Sequence, residues 1–244
     1  MTYRYFIYFA YNGTNYCGWQ TQPNGTAVQE VLEKALSTIL RTEIALTGAG
    51  RTDAGVHAKR MAAHFDSSIK IEDSNKLAAN LNSLLPSDIA VSNIKPVAAD
   101  AHARFDAISR KYEYHIIQQK SPFLDGLACK FTHPLDINLM NDAANVLYDY
   151  IDFTSFSKLH TDVKTNNCTI MQAFWEERGE ELVFTIEANR FLRNMVRAIV
   201  GTLLDVGRKK ITIGQFREII EKKDRCSAGH SVPACGLYFI EARY

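Results

Sequence analysis

The stretch GAGRTDAGVHA, residues 48–58, places a base and an acid, Arg51 and Asp53, two positions apart among small residues. An ionised aspartate can act as a nucleophile. The stretch also contains three glycines, Gly48, Gly50 and Gly55. Glycine permits backbone angles that other residues avoid and leaves room for a bulky ligand. We therefore predict a loop that points Asp53 into a cleft. The alternative is a turn in which Asp53 only accepts hydrogen bonds from nearby backbone amides.

A second group of candidate residues lies in a predicted helix over 190–206. At 100° per residue, one stripe of this helix consists of Arg190, Arg193, Asn194, Arg197 and Gly201, and apolar residues fill most of the remainder. Burying a guanidinium without a partner costs on the order of several kcal/mol, and arginine cannot lose its proton. We therefore expect an anion against the stripe, and a pairing of Arg197 with Asp53 would favour the ionised carboxylate. The alternative is a stripe that faces solvent or pairs with structural carboxylates.

Composition and charge narrow the classes of protein. The 244 residues are 46% hydrophobic, enough to bury a sizeable core. With 28 Lys and Arg against 27 Asp and Glu, the net charge of +1 neither demands nor excludes a polyanionic partner. Five cysteines without a C-x-x-C pair predict a reducing, cytoplasmic location. We expect no membrane span, because no apolar run reaches about 18 residues. We expect no metal, because the cysteines and histidines lack zinc-ligand spacing.

Periodicity predicts the order β-α-β-β-α-β twice. The first set has strands at 3–11, 43–48, 61–66 and 89–97, a helix with apolar residues from Val28 to Leu40, and a helix from Ser74 to the stop at Pro86. A T-x-x-Q capping box, Thr26 and Gln29, is predicted to start the first helix. The second set has strands at 110–118, 169–178, 181–188 and 236–243, with helices at 136–149, 190–206 and 212–223.

These elements predict an α+β fold made of two ferredoxin/RRM-like halves. We expect a half at 1–103 that carries the Asp53 loop and a half at 104–244 that carries the arginine stripe. The sheets would be antiparallel or mixed and joined side by side, with helices on one face. The predicted active site is the cleft between the halves.

Five ordered segments resemble the TruA family of tRNA pseudouridine synthases. They are YNGTNYCGWQTQPNGTAVQEVLEKAL (11–36), GRTDAGVHA (50–58), ARFDAISRKYEY (103–114), RFLRNMVRAIVG (190–201) and PACGLYF (233–239). The resemblance implies isomerisation of uridine to pseudouridine at positions 38, 39 and 40 of the tRNA anticodon arm. It also implies base flipping and a homodimer that needs no cofactor.

The resemblance also implies a role for individual residues. Asp53 matches the catalytic aspartate, Arg197 the arginine paired with it, and Tyr112 the tyrosine that packs on the target base. Arg51 matches an arginine that helps to displace the target nucleotide, and Leu237 an apolar residue beside the base. For Tyr112, stacking on the base is the favoured role, and a part in removing the C5 proton is the alternative. Tyr112 and Tyr114 also lie on one face of a predicted strand, so a further alternative is that both are core residues only. Whether the aspartate attacks C1′ or uracil C6 is also open.

Phosphate binding needs local cations, because the whole chain is nearly neutral. Candidates from the sequence are Lys59, Arg60, Arg104, Arg110, Lys111, Arg190 and Arg193, with a further run Arg208-Lys209-Lys210. The alternative for each is an ordinary solvated side chain. Two subunits could present these cations as one surface to an RNA of tRNA shape.

Two other classes of protein are alternatives to this prediction. A glycosidase-like hydrolase needs a second positioned carboxylate, and the Asp53 segment offers none. A non-catalytic RNA-binding protein made of two RRM-like halves shares the element order, but the paired sheet aromatics of that module are not found in the sequence.

Overall fold

The computed structural model describes residues 2–158 and 165–244, which form two compact units. Unit one consists of Met1–Ile108 and Phe239–Tyr244, and unit two of Ser109–Tyr238. The predicted domains, 1–103 and 104–244, remain a prediction. In the described ranges, no helix has the length and apolar character to cross a membrane.

Unit one is built on a central strand flanked by two antiparallel neighbours. Its elements are β1 (Tyr3–Tyr11), α1 (Val28–Leu40), β2 (Thr47–Gly48), β3 (His57–Ser67), α2 (Ser74–Leu84) and β4 (Ile89–Pro96), with a short 3₁₀ helix at Gly13–Asn15. The strand order is β4-β1-β3, and β2 pairs with β3. Side chains on both faces of β1 are buried, and one of them, Phe9, stacks on Trp19 at 5.2 Å.

The sequence mispredicts two details of unit one. No capping box starts α1: Ala27 is the N-cap and makes no side-chain cap bond. The Gln29 amide instead donates to Glu33 and to the Leu46 carbonyl. The predicted strand 43–48 is reduced to two residues, because side chains bind the backbone before it. The backbone N–H of Leu46 donates to Glu33 at 2.7 Å, away from any strand ladder.

Unit two has three adjacent antiparallel strands and three α-helices among its described residues. Its elements are β5 (Ser109–Ile117), β6 (Cys129–Lys130), α3 (Ile137–Asn145), β7 (Ile170–Arg178), β8 (Glu181–Ala188), α4 (Met195–Gly207) and α5 (Ile213–Glu221). Short 3₁₀ helices occupy Val146–Asp149, Thr154–Phe156, Arg225–Ser227 and Ala234–Gly236. The order is β5-β8-β7, with β6 parallel to β5. The last strand, β9 (Leu237–Arg243), begins in unit two, and its residues from Phe239 belong to unit one.

The helix predicted over 190–206 begins five residues later, at Met195. Asn194, its N-cap, has a left-handed backbone with φ of 67°, which interrupts helical geometry before the first turn. Almost every residue of α4 is buried, so the helix is apolar nearly all round. The predicted five-residue stripe is therefore wrong: only Arg197 and Gly201 lie on one face of α4.

The predicted α+β class is confirmed: the described residues contain five α-helices, and their strand pairs are mostly antiparallel. The finer description, two ferredoxin/RRM-like halves with a cleft between them, remains a prediction.

Candidate active site

The loop between β2 and β3 carries Asp53 and is fixed by backbone bonds to the 13–19 segment. Trp19 donates its backbone N–H to the Thr52 carbonyl, and Gly55 donates to the Tyr16 carbonyl, both at 3.3 Å. Within the loop, the Val56 N–H donates to the Asp53 carbonyl at 3.2 Å and closes a turn. Asp53 is half-buried, so its backbone is held on both sides while its side chain retains access to solvent.

Glycines make this close approach possible. Gly18 has φ of 94°, and a Cβ there would lie 2.3 Å from the Thr52 carbonyl oxygen. A Cβ at Gly13 would lie 2.0 Å from the Val56 carbonyl oxygen. Neither glycine was predicted from the sequence to support the Asp53 loop, although both lie in the segment 11–36 that carries the family resemblance. Both glycines are far from Asp53 in the sequence, so no local pattern predicts the contact.

The predicted role of the loop glycines is correct at one position and wrong at two. Gly55 has a left-handed backbone with φ of 78°. Gly48 and Gly50 are not among the described residues with positive φ. Gly48 is small for another reason, since a Cβ there would lie 2.6 Å from the Trp19 indole nitrogen.

Two polar contacts support the loop from β1 and β3. The Tyr11 hydroxyl and the Thr52 hydroxyl are 2.8 Å apart and form a hydrogen bond. His57 is fully buried, and its Nδ1 accepts the Gly13 backbone N–H at 3.0 Å. This bond makes Nδ1 the unprotonated nitrogen of a structural histidine. Arg51, by contrast, is exposed.

Tyr112, Arg197 and Leu237 all belong to unit two. Tyr112 lies on β5, is buried, and meets the ring of Phe191 edge-on at 5.1 Å. Leu237 is buried at the start of β9. Arg197 is half-buried in the first turn of α4, where its Nε donates to the Val232 carbonyl at 2.7 Å. A partner for Arg197 within its own unit was not anticipated from the sequence.

The other residues of the predicted stripe precede α4 and diverge. Arg190 donates to the Thr165 carbonyl at 3.3 Å, and the side chain of Arg193 is exposed. Asn194 donates to the Ser231 hydroxyl. Arg190 and Arg193 thus remain candidates for phosphate contact, but they do not extend a buried guanidinium row.

The other residues predicted to bind phosphate differ in their exposure and in the contacts they make within the protein. Lys59 and Arg104 are exposed, and Lys111 is half-buried. Arg60 lies 3.7 Å from Glu241 and 4.8 Å from the Tyr8 ring.

Three further cationic candidates also contact groups of the protein. Arg110 donates to the Asn189 carbonyl. In the 208–210 run, Lys209 pairs with Asp136 and Lys210 with Asp205. Exposed ion pairs are weak enough for a phosphate to displace.

Unit two also has a charged cluster that was not predicted from the sequence. The two ring nitrogens of His115 lie 2.7 Å from Glu181 and 3.2 Å from Glu113, and Arg178 donates to Glu113 at 2.9 Å. Burial raises the pKa of Glu113, but hydrogen bonds from His115 and Arg178 outweigh it and lower this pKa to about 2. No group of three or more metal-ligating side chains is found among the described residues.

The segments that form the Asp53 loop and carry Tyr112 and Arg197 are those on which the family resemblance rests, and comparison with known proteins tests that resemblance. A sequence model described as tRNA pseudouridine synthase matches residues 7–106 and 150–244. The chain belongs to this family, and the predicted resemblance is confirmed.

Curated relatives match over nearly the whole chain. A protein named tRNA pseudouridine synthase A from Parabacteroides distasonis is 59% identical over 241 residues, covering 99% of this chain and 96% of the relative. One of the same name from Bacteroides fragilis is 56% identical, with the same coverage. A more distant one, from Colwellia psychrerythraea, is 42% identical over 99% of this chain and 93% of its own length.

Proposed function

We propose that this protein isomerises uridine to pseudouridine in tRNA, at positions 38, 39 and 40 of the anticodon arm. The observation that carries the proposal is the family match, which covers residues 7–106 and 150–244. The first range contains the Asp53 loop and the second contains Arg197. The reaction breaks the bond from N1 to C1′, turns the uracil and joins C5 to C1′, and no redox step is needed.

Asp53 is the proposed nucleophile. Its loop is bound through the backbone of Thr52 and Gly55, so the carboxylate is presented from a fixed main chain. Such fixation supports catalysis, because a nucleophile must hold its distance to the reacting carbon within a fraction of an ångström. Attack on C1′ and attack on uracil C6 both begin from the ionised side chain. The predicted pairing of Asp53 with Arg197 remains a proposal that rests on the family resemblance.

The target uridine must leave its helix before Asp53 can reach it, at a cost of a few kcal/mol. Arg51 is proposed to displace it, and the exposure of this side chain agrees with insertion into RNA. Tyr112 and Leu237 are proposed to pack on the uracil. Both are buried, and Tyr112 meets the ring of Phe191 edge-on, an aromatic contact that suits stacking better than proton transfer. Stacking is therefore the role we propose for Tyr112.

Phosphates of the tRNA are proposed to contact Lys59, Arg60, Arg104, Arg110, Lys111, Arg190 and Arg193. A homodimer and the absence of a cofactor come to this chain from the family resemblance alone. A cytoplasmic location is proposed because the sequence has five cysteines and no C-x-x-C pair.

The alternative of a non-catalytic RRM-like module is disfavoured by the β1 side chains. Such a module stacks bases on exposed sheet aromatics. Phe6 and Tyr8 occupy the face of β1 that also carries Arg4, but both rings are buried. Arg60 and Lys95 flank the Tyr8 ring at 4.8 and 5.2 Å, which leaves little of it for a base.

Release of tritium from tRNA labelled at uracil C5 tests the proposal, since only isomerisation removes that hydrogen. Wild type is expected to release tritium, and Asp53→Asn, which keeps the shape but removes the charge, to release none. Asp100→Asn, at an exposed carboxylate of unit one, is the matched control and should match wild type. Binding of tRNA without release by wild type would support the RRM-like alternative. Turnover by Asp53→Asn would refute the nucleophile assignment.

A further inference from the structure

The 228–233 segment, AGHSVP, packs directly against α4 beside Arg197. One backbone bond and one side-chain bond define the contact: the Val232 N–H donates to the Arg197 carbonyl at 3.2 Å, and the Arg197 Nε donates back to the Val232 carbonyl at 2.7 Å. One turn later, a Cβ at Gly201 would lie 1.8 Å from the His230 carbonyl oxygen. Helix and segment therefore touch main chain to main chain, and Gly201 is required for space.

Arg225 binds this segment at two points. Its guanidinium donates to the Ser231 hydroxyl at 2.8 Å and to the Gly229 carbonyl at 3.2 Å. The Ser231 hydroxyl also accepts the amide of Asn194 at 2.5 Å. Ser231 thus joins Arg225 to the left-handed residue at which α4 begins.

The other end of the segment is fixed by β5. The Tyr114 hydroxyl donates to the Pro233 carbonyl at 2.8 Å, and Tyr114 is fully buried. Burial raises the pKa of Tyr114, which keeps the hydroxyl protonated as the donor. The chain then continues through Ala234–Gly236 to Leu237.

We propose that Arg225 and Ser231 are positioning residues that set the direction of the Arg197 guanidinium through the 228–233 segment. The inference rests on the proposed role of Arg197. An arginine side chain has many rotamers, and its catalytic value depends on having one of them selected before substrate arrives. The Nε bond to Val232 selects the rotamer, and Arg225 holds Val232 in place through Ser231 and Gly229. Arg225 thus acts on the reaction without being a catalytic residue.

Two variants test this, Arg225→Gln and Ser231→Ala, with Arg217→Gln as the control. Arg217 is a half-buried arginine of α5 that pairs with Asp149. The single-turnover rate constant for tritium release is expected to fall about 10-fold or more in both test variants, with the Kd for tRNA within about threefold of wild type. Arg225→Lys should recover part of the rate. The control should behave as wild type.

A purely structural role would lower the rate without acting through Arg197, so a double-mutant cycle separates the two cases. In an Arg197→Lys background, Ser231→Ala should cause little further loss. A second readout needs no catalysis: the ¹⁵Nε–H resonance of Arg197 should be protected from exchange in wild type and lose that protection in Arg225→Gln.

Three outcomes overturn the proposal: wild-type rates in both test variants, additive losses in the cycle, or unchanged protection of the Arg197 Nε–H. If Arg225→Gln fails to fold, Ser231→Ala still decides by the same measures. If wild type releases no tritium, the proposed function fails, and the exchange measurement alone continues to test the positioning.

Discussion

Replacing Gly18 by alanine should disable the Asp53 loop from a distance. Gly18 has φ of 94°, a conformation that costs an alanine about 1–2 kcal/mol. The added Cβ would also lie 2.3 Å from the Thr52 carbonyl oxygen, whereas ordinary contact begins at 3.4 Å. The difference means that the loop must retreat by about 1.1 Å. A displacement of about 1 Å at a catalytic group lowers a rate about 100-fold.

Gly179, in the turn between β7 and β8, provides the matched control. Its φ of 64° imposes a similar strain on alanine, but nothing lies within 4 Å of the added Cβ. Gly179→Ala should therefore lose about 1–2 kcal/mol of unfolding free energy, a fall in Tm of about 2–8 °C, and keep wild-type activity. Gly18→Ala should lose at least as much stability and about 100-fold in rate.

Tritium release in single turnover, with enzyme in excess and well below either Tm, measures the rate constant per folded molecule. Thermal unfolding followed by circular dichroism measures the stability of each variant. Equal rate constants for the two alanine variants would refute the argument that the 13–19 segment fixes the Asp53 loop. A loss of rate in Gly18→Ala that is fully explained by the fraction of unfolded protein would refute the same argument.

Three further predictions concern other parts of the chain. His57→Phe should lose about 1–3 kcal/mol in urea unfolding, because the buried Gly13 N–H loses its acceptor, and an unchanged midpoint would contradict this. Glu113 has a folded pKa of about 2, below its ordinary 4.5, so its contribution of about 3 kcal/mol is present above pH 4.5 and is lost as the pH falls toward 2. Glu113→Gln should flatten the unfolding free energy over that window, and curves parallel to wild type would count against it. Arg60→Gln should reduce the slope of log K for tRNA against log salt by about one, and an unaltered slope would remove Arg60 from the phosphate contacts.

The sequence predicts elements well where the pattern has one cause. β1 appears where expected, although side chains on both of its faces are buried. α1 appears where expected because its apolar repeat marks one buried stripe. The start of α4 was missed for the opposite reason. A helix buried nearly all round shows no stripe, so apolar residues before it read as its continuation, and only the left-handed Asn194 marks the true start.

Contacts between side chains and distant backbone are beyond a local pattern. The segment before Thr47 has strand-like composition, but Ser37 accepts the N–H of Ile44 and Glu33 accepts that of Leu46. Gln29 occurs at a capping position, yet its amide is used by Glu33 and the Leu46 carbonyl. Except for the Gln29–Glu33 bond, which lies within α1, these bonds join α1 to the chain that follows it. Only the folded unit decides which partner a polar side chain takes.

The Asp53 loop shows why two separated segments must match a family together. Read alone, GRTDAGVHA explains Gly55, whose backbone is left-handed, but it offers no reason for the glycine at Gly18. That residue is fixed by the Thr52 carbonyl, and Trp19 donates to the same carbonyl. The segment 11–36 is therefore half of the structure that holds Asp53. A substitution in either segment moves the same carboxylate, and the Gly18 variant measures that coupling directly.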